Sequence, residues 1–115
     1  MTETTLFTRI IEGELPADIV YANEHCIAIR DIAPQAPLHL LIIPRRPIAK
    51  LADATSADAE LLGELMLAAG EVARQFDVAD AFRLIVNNGR GAGQTVFHLH
   101  LHLLAGEQFS EGGLV

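Results

Sequence analysis

His98, His100 and His102 alternate with leucines in Phe97-His98-Leu99-His100-Leu101-His102-Leu103-Leu104. Side chains of a strand point to opposite faces in turn, so a strand here puts the imidazoles on one face and Leu99, Leu101 and Leu103 on the other. A helix would scatter the rings around its circumference. The leucine face is then predicted to be core. The histidine face is expected at a surface or cleft, because adjacent imidazoles in a dry interior would each need partners.

Such a triplet has several possible uses. Alternating histidines on a strand can hold zinc, but the sequence offers no Cys-x-x-Cys pair, and the loop before the triplet looks suited to an anion. They can be ordinary surface residues, which is a natural reading for one histidine but not for three of the chain's five. They can also act at phosphorus. A neutral imidazole keeps a lone pair at physiological pH, and the phosphoimidazolium it forms is a good leaving group, so one hard displacement becomes two easier ones. The glycine-rich run Asn88-Gly89-Arg90-Gly91-Ala92-Gly93 lets backbone amides approach phosphate oxygens, with Asn87 and Thr95 as neutral donors.

The elements that must position these residues follow from periodicity. Leu6 to Ile11 has helical spacing and is stopped by Gly13 and Pro16. Ile19 to Tyr21 and Cys26 to Arg30 read as a hairpin, with His25 in its turn and Cys26 buried. Leu38 to Ile43 reads as a largely buried strand closed by Pro44. After a connector over 45–55, Ser56 is the expected N-cap of a long amphipathic helix with a stripe from Leu61 through Met66 to Phe76. Phe82 to Asn87 is the next strand. The expected fold is α+β, an antiparallel sheet of about five strands with one long helix and a short N-terminal helix.

Composition narrows the partners. At 115 residues the chain is expected to form a single domain over 1–115. A net charge of −7 argues against nucleic acid and anionic membranes, yet permits a small phosphorylated ligand. The single cysteine and the lack of a leader or a long apolar run point to the cytoplasm. Half the residues are apolar, which hints at a self-association surface.

The histidine run, with Gly93-Gln94-Thr95 ahead of it, resembles the signature of the histidine triad superfamily. Phe7-Thr8-Arg9-Ile10-Ile11-Glu12-Gly13-Glu14-Leu15-Pro16-Ala17 and Asp31-Ile32-Ala33-Pro34-Gln35-Ala36-Pro37-Leu38-His39 resemble segments of its Hint-type, nucleotide-binding branch. The likeness covers nearly the whole chain.

The resemblance implies His100 as nucleophile, attacking the α-phosphate of a purine nucleotide derivative of AMP or GMP type. It implies that the His98 carbonyl holds the other ring nitrogen of His100, that His102 contacts the phosphate, and that His39 supports them. Asn87, Gly93 and Thr95 match phosphate-contact positions, with Thr95 placed to assist the leaving group, and Gln94 between them is counted with the nucleotide-binding set. Asp31 matches the residue that accepts from the ribose hydroxyls. Leu6, Phe7, Ile10, Ile29 and Ile32 match the walls around the base.

The expected activity is a phosphoramidase-type hydrolysis of nucleoside phosphoramidates or adenylates to the monophosphate, in a homodimer, without cofactor or metal. The alternatives are a dinucleoside-polyphosphate hydrolase of the same superfamily and a nucleotide-sensing scaffold. Two features depart from relatives. The tail from Glu107 to Val115 lacks tryptophan, and Arg30 sits beside the ribose position, either as a solvated strand residue or as an extra phosphate contact.

Overall fold

The fold is that of a computed structural model, which describes residues 4–111. The last four residues of the tail, 112–115, lie outside the described residues. Helix α1 spans Leu6–Ile11, with Thr5 as its N-cap: the Thr5 hydroxyl oxygen accepts from the Thr8 amide at 3.0 Å. It ends at Glu12, and Gly13 follows with φ 81°, a turn that a side chain would strain.

Strands β1 (Ile19–Ala22) and β2 (Cys26–Arg30) form the expected hairpin. The Asn23 carboxamide oxygen closes its turn by accepting from the His25 and Cys26 amides. Strand β3 (Leu38–Pro44) is buried along almost its whole length. Among the described residues no helix is long and apolar enough to cross a membrane.

The connector after β3 carries 3-10 turns at Leu51–Asp53 and Ser56–Asp58 before helix α2 (Ala59–Gln75). The side-chain cap falls on Thr55, ahead of the 3-10 turn that leads into α2, rather than on Ser56. Thr55 and Asp58 form a reciprocal capping box, and Arg46 pairs with the Asp58 carboxylate at 2.7 Å. The Thr55 amide, and then Arg46, hold the Asp58 carboxyl below its usual range. Beyond α2, strand β4 is shorter than expected, Phe82–Ile85, and β5 is Leu101–Ala105.

The strands form one antiparallel sheet in the order β1-β2-β3-β5-β4. Strand alternation divides its residues between two faces. Ala28, Leu40, Ile42, Leu101 and Leu103 pack with Leu61, Leu65, Ala69 and Val72 of α2. On the opposite face Ile27, Ile29, Leu41 and Ile43 pack with Phe7 and Ile10 of α1. Burial of each such large side chain contributes roughly 1.5–3 kcal/mol. Met66, expected in the α2 stripe, is 58% exposed, and Leu67 beside it 68%.

The histidine run is not one continuous strand. Sheet pairing of β5 begins at Leu101 opposite Ile42, and residues 97–100 lie before it as irregular chain. The partner strand ends at Pro44, which has no N–H to offer a ladder. The Leu99 amide instead donates to the Ile48 carbonyl. The leucines are still core, as expected: Leu99, Leu101 and Leu103 are all buried.

Candidate active site

Register brings the histidines together. Strands β3 and β5 pair with His39 opposite Leu104 and Leu41 opposite His102, so His39, Leu41 and His102 share the face away from α2. The glycine-rich loop is tied down from within by Gln94. Its carboxamide oxygen accepts from the Gly89 amide at 2.7 Å, and its nitrogen donates to the Ala49 and Val96 carbonyls at 2.7 and 3.0 Å. Gly93 turns the loop with φ 94°, and a Cβ there would stand 4.0 Å from the Asn87 side-chain nitrogen. Gln94 thus sits inside the loop, committed to its backbone.

The tautomers follow from the partners. His98 Nε2 is 2.8 Å from the Pro44 carbonyl, which only accepts, so Nε2 carries the proton. His100 Nδ1 is 2.7 Å from the His98 carbonyl and, by the same logic, is protonated. Its Nε2 then bears a lone pair. No described buried side-chain nitrogen lacks a partner, so this partnerless Nε2 reaches the cleft. His39 Nδ1 accepts from the Gln35 amide at 3.0 Å, which leaves the proton on Nε2 to donate to His102 Nδ1 at 2.9 Å. His102 therefore presents Nε2–H to the cleft. Neutral rings thus offer a lone pair on His100 beside a donor on His102, their centroids 5.0 Å apart.

The expectation that all three rings face a cleft fails at His98. It has no exposed surface, because Thr5, at 2.8 Å from Nδ1, and Pro44 satisfy both nitrogens inside the protein. Burial lowers the pKa of His98, His100 and His39, and lowers that of His102 to about 4, with His100 and His39 adding to the last. Asp31 opposes the shift at His39, His100 and His102. The imidazoles are therefore held neutral at physiological pH.

The cleft has a volume of about 500 Å³. Leu6, Phe7 and Ile10 of α1 form one wall, Ile29 and Leu41 the floor, and Thr95, His100 and His102 the reactive end. Phe7 meets the His100 ring edge to face at a centroid distance of 5.0 Å. Ile32 is fully exposed on the rim. Asp31, at the end of β2, uses Oδ1 to accept from the Ala33 amide and holds Oδ2 3.5 Å from His39 Nε2.

His39, His98, Asn87, Gly93 and Gln94 do not line the cleft; His39 and His98 stand behind the rings that do. Leu41 and Val96 line it and were not singled out in the sequence. The alternation that puts Leu41 two residues from His39 on β3 carried that signal. Arg30 lines the edge of the cleft, lies over the Phe76 ring and pairs with Asp18 at 3.0 Å. His25 is half-buried between Glu24 and Glu64, and Cys26 is buried.

Asp31, His39 and His102 do gather a carboxylate and two imidazoles, with ligand atoms within 4.8 Å of one another. Asp31, far from the histidine run in sequence, supplies the carboxylate. Yet the set fits a cation poorly. A metal on His39 Nε2 would force the proton onto Nδ1, where it would face the Gln35 N–H. Metal-bound histidines normally donate through their other nitrogen to an acceptor.

Residues 12–109 match the HIT domain family. An uncharacterized HIT-like protein of Synechocystis sp. is 53% identical over 110 residues, covering 96% of each chain. A HIT family hydrolase from Clostridium thermocellum superposes with a TM-score of 0.93 at 44% identity, over 99% of this chain and 100% of that one. A histidine triad nucleotide-binding protein from Candida albicans superposes with a TM-score of 0.79 at 26% identity, over 93% and 84%. The chain belongs to the HIT family.

Proposed function

We propose that the protein is a nucleotide-binding hydrolase that cleaves purine nucleoside phosphoramidates or adenylates to the monophosphate through a nucleotidyl intermediate on His100. The observation that carries this reading is the His100 ring: Nδ1–H held by the His98 carbonyl at 2.7 Å, and the Nε2 lone pair turned to the cleft. Similarity to a HIT family hydrolase and to a histidine triad nucleotide-binding protein supports the class.

In the first step His100 Nε2 attacks the α-phosphorus and a P–N bond forms, while the P–N bond to an amine, which takes up a proton from solvent, or the P–O bond to a carboxylate, which leaves as the anion, breaks. Thr95, at the reactive end, assists the departing group. His102 Nε2–H donates to a non-bridging oxygen, where negative charge accumulates. Water then attacks phosphorus and gives up a proton to solvent, the P–Nε2 bond breaks, and nucleoside monophosphate leaves with His100 neutral again. The apolar walls from α1 and β2 take the base, and the Asp31 carboxylate accepts from the ribose hydroxyls.

Rapid quench with an adenylate bearing a good leaving group, followed by peptide mass analysis, is expected to find the nucleotidyl group on His100. His100→Ala is expected to bind nucleoside monophosphate without turnover. An adduct on His98 or His102 would overturn the assignment. Turnover of a diadenosine polyphosphate in preference to an adenosine phosphoramidate would move the protein to the other branch. Tight monophosphate binding by the unmodified protein with no turnover would make it a sensor.

A further inference from the structure

The residue that orients His98 lies 93 positions away in sequence, at the start of α1. Thr5 Oγ1 is 2.8 Å from His98 Nδ1. Because His98 spends its proton on the Pro44 carbonyl, Nδ1 is a lone pair and needs a donor. Thr5 can supply it. Its oxygen accepts from the Thr8 amide at 3.0 Å and lies 3.1 Å from the Thr8 hydroxyl, so its own O–H remains free to donate. With no exposed surface on His98, no water replaces that donor if it is lost.

We propose that Thr5 is a positioning residue for the nucleophile: its hydroxyl donates to His98 Nδ1 and so holds the backbone carbonyl that orients His100. Pinned by Thr5 at one nitrogen and Pro44 at the other, His98 cannot turn, and its carbonyl stays 2.7 Å from His100 Nδ1. The same threonine caps the helix that carries Leu6, Phe7 and Ile10 to the cleft. One hydroxyl thus fastens the base-side wall to the reactive ring. The catalytic part of this inference rests on His100 acting as nucleophile.

Helix capping alone is the competing account of Thr5, and glycine separates the two. Glycine is about as good an N-cap as threonine but has no hydroxyl to donate. Thr5→Ser keeps both roles. Nitrogen-15 NMR of the histidine rings reads the tautomers without any substrate. In the unmodified protein His98 is expected to show an unprotonated Nδ1 and a protonated Nε2; the reverse overturns the proposal without recourse to any variant.

Thr5→Gly is expected to keep helical circular dichroism, to shift the His98 Nδ1 resonance as that nitrogen loses its donor, and to lower kcat for an adenylate more than KM. The loss should run toward the ~100-fold that slight misplacement of reacting groups can cost. Thr5→Ser is expected to stay within about threefold of the unmodified kcat, the ~0.6 kcal/mol equivalent of that ratio. Unchanged kcat in a folded Thr5→Gly, or an unchanged His98 Nδ1 resonance, overturns the proposal, and so does failure of Thr5→Ser to keep the rate. Absence of turnover by the unmodified protein would sink the hydrolase reading alone, since the ring resonances would still report on Thr5 and His98.

Discussion

His39 Nε2 lies 2.9 Å from His102 Nδ1, and the direction of that hydrogen bond is set from behind, by the Gln35 amide 3.0 Å from His39 Nδ1. The peptide N–H cannot accept, so it forces the proton of a neutral His39 onto the His102 side. His102 in turn must present N–H, not a lone pair, to the cleft. His39→Phe keeps ring bulk but removes both contacts. It is expected to lower kcat about tenfold, the ~1.4 kcal/mol worth of one hydrogen bond. Steady-state kinetics beside nitrogen-15 spectra of His102 check this: full activity with an altered His102 tautomer would break the link.

The same bond makes a metal requirement testable. Since Gln35 opposes a metal on His39 Nε2, dialysis against a strong chelator is expected to leave turnover unchanged. Activity lost on chelation and restored by zinc alone would show that Asp31, His39 and His102 rearrange to bind it.

Acid should weaken both stability and turnover. Folding lowers the pKa of His39, His98 and His100, and that of His102 to about 4, whereas unfolded histidines titrate near 6.5. Between those values the unfolded chain binds more protons, so stability declines as pH falls through this window and is level above about 6.5. Asp58, with its lowered pKa, adds a further loss in still more acidic solution. Melting temperature is expected to be flat from about pH 7.5 to 6.5 and to fall toward 4, with kcat/KM holding until the cleft imidazoles protonate. An acid limb of kcat/KM centred at 6.5 would mean that the rings titrate as if exposed.

Much of this site was legible because it rests on local rules. Period-two alternation placed Leu99, Leu101 and Leu103 in the core, and helical spacing located α1 and α2. Contacts between distant parts of the chain were not legible. Nothing near His98 announces that Thr5 and Pro44 will take both its nitrogens, so its complete burial could not be foreseen. The break between His98 and Leu101 arises in the partner strand, where Pro44 ends the ladder. The cap fell on Thr55 rather than Ser56 because only Thr55 stands three residues before a carboxylate, Asp58, that can bond back to its amide.

For the self-association expected from composition, α2 and β4 offer a surface. Met66 and Leu67 are 58% and 68% exposed on α2, and β4 is a sheet edge whose residues are all half-buried. Hint-type proteins, which the sequence resembles, pair through such a helix and edge strand, and two-fold dimers are the commonest homo-oligomers. Sedimentation at micromolar concentration is expected to give about twice the 12.4 kDa chain mass. Met66→Glu with Leu67→Glu should shift the protein toward the single chain. A monomer before substitution would refute the dimer.

Asp31 offers the sharpest test of what the cleft holds. Its Oδ1 already accepts from the Ala33 amide, so Oδ2, the oxygen 3.5 Å from His39 Nε2, is the freer acceptor for the proposed ribose contact. Asp31→Ala should therefore weaken ribonucleotide binding by about 1–3 kcal/mol, the range for hydrogen bonds to a charged acceptor. It should also remove the Asp31 charge that supports protonation of His39, His100 and His102, moving any acid limb of kcat further toward acid. A 2′,3′-dideoxy nucleotide should bind the unmodified protein as weakly as Asp31→Ala binds the ribonucleotide, and should lose little more in the mutant. Calorimetric titration of both nucleotides into both proteins closes this double cycle. Losses that simply add would show that Asp31 and the ribose hydroxyls do not meet, leaving the carboxylate only its turn and its histidine neighbour.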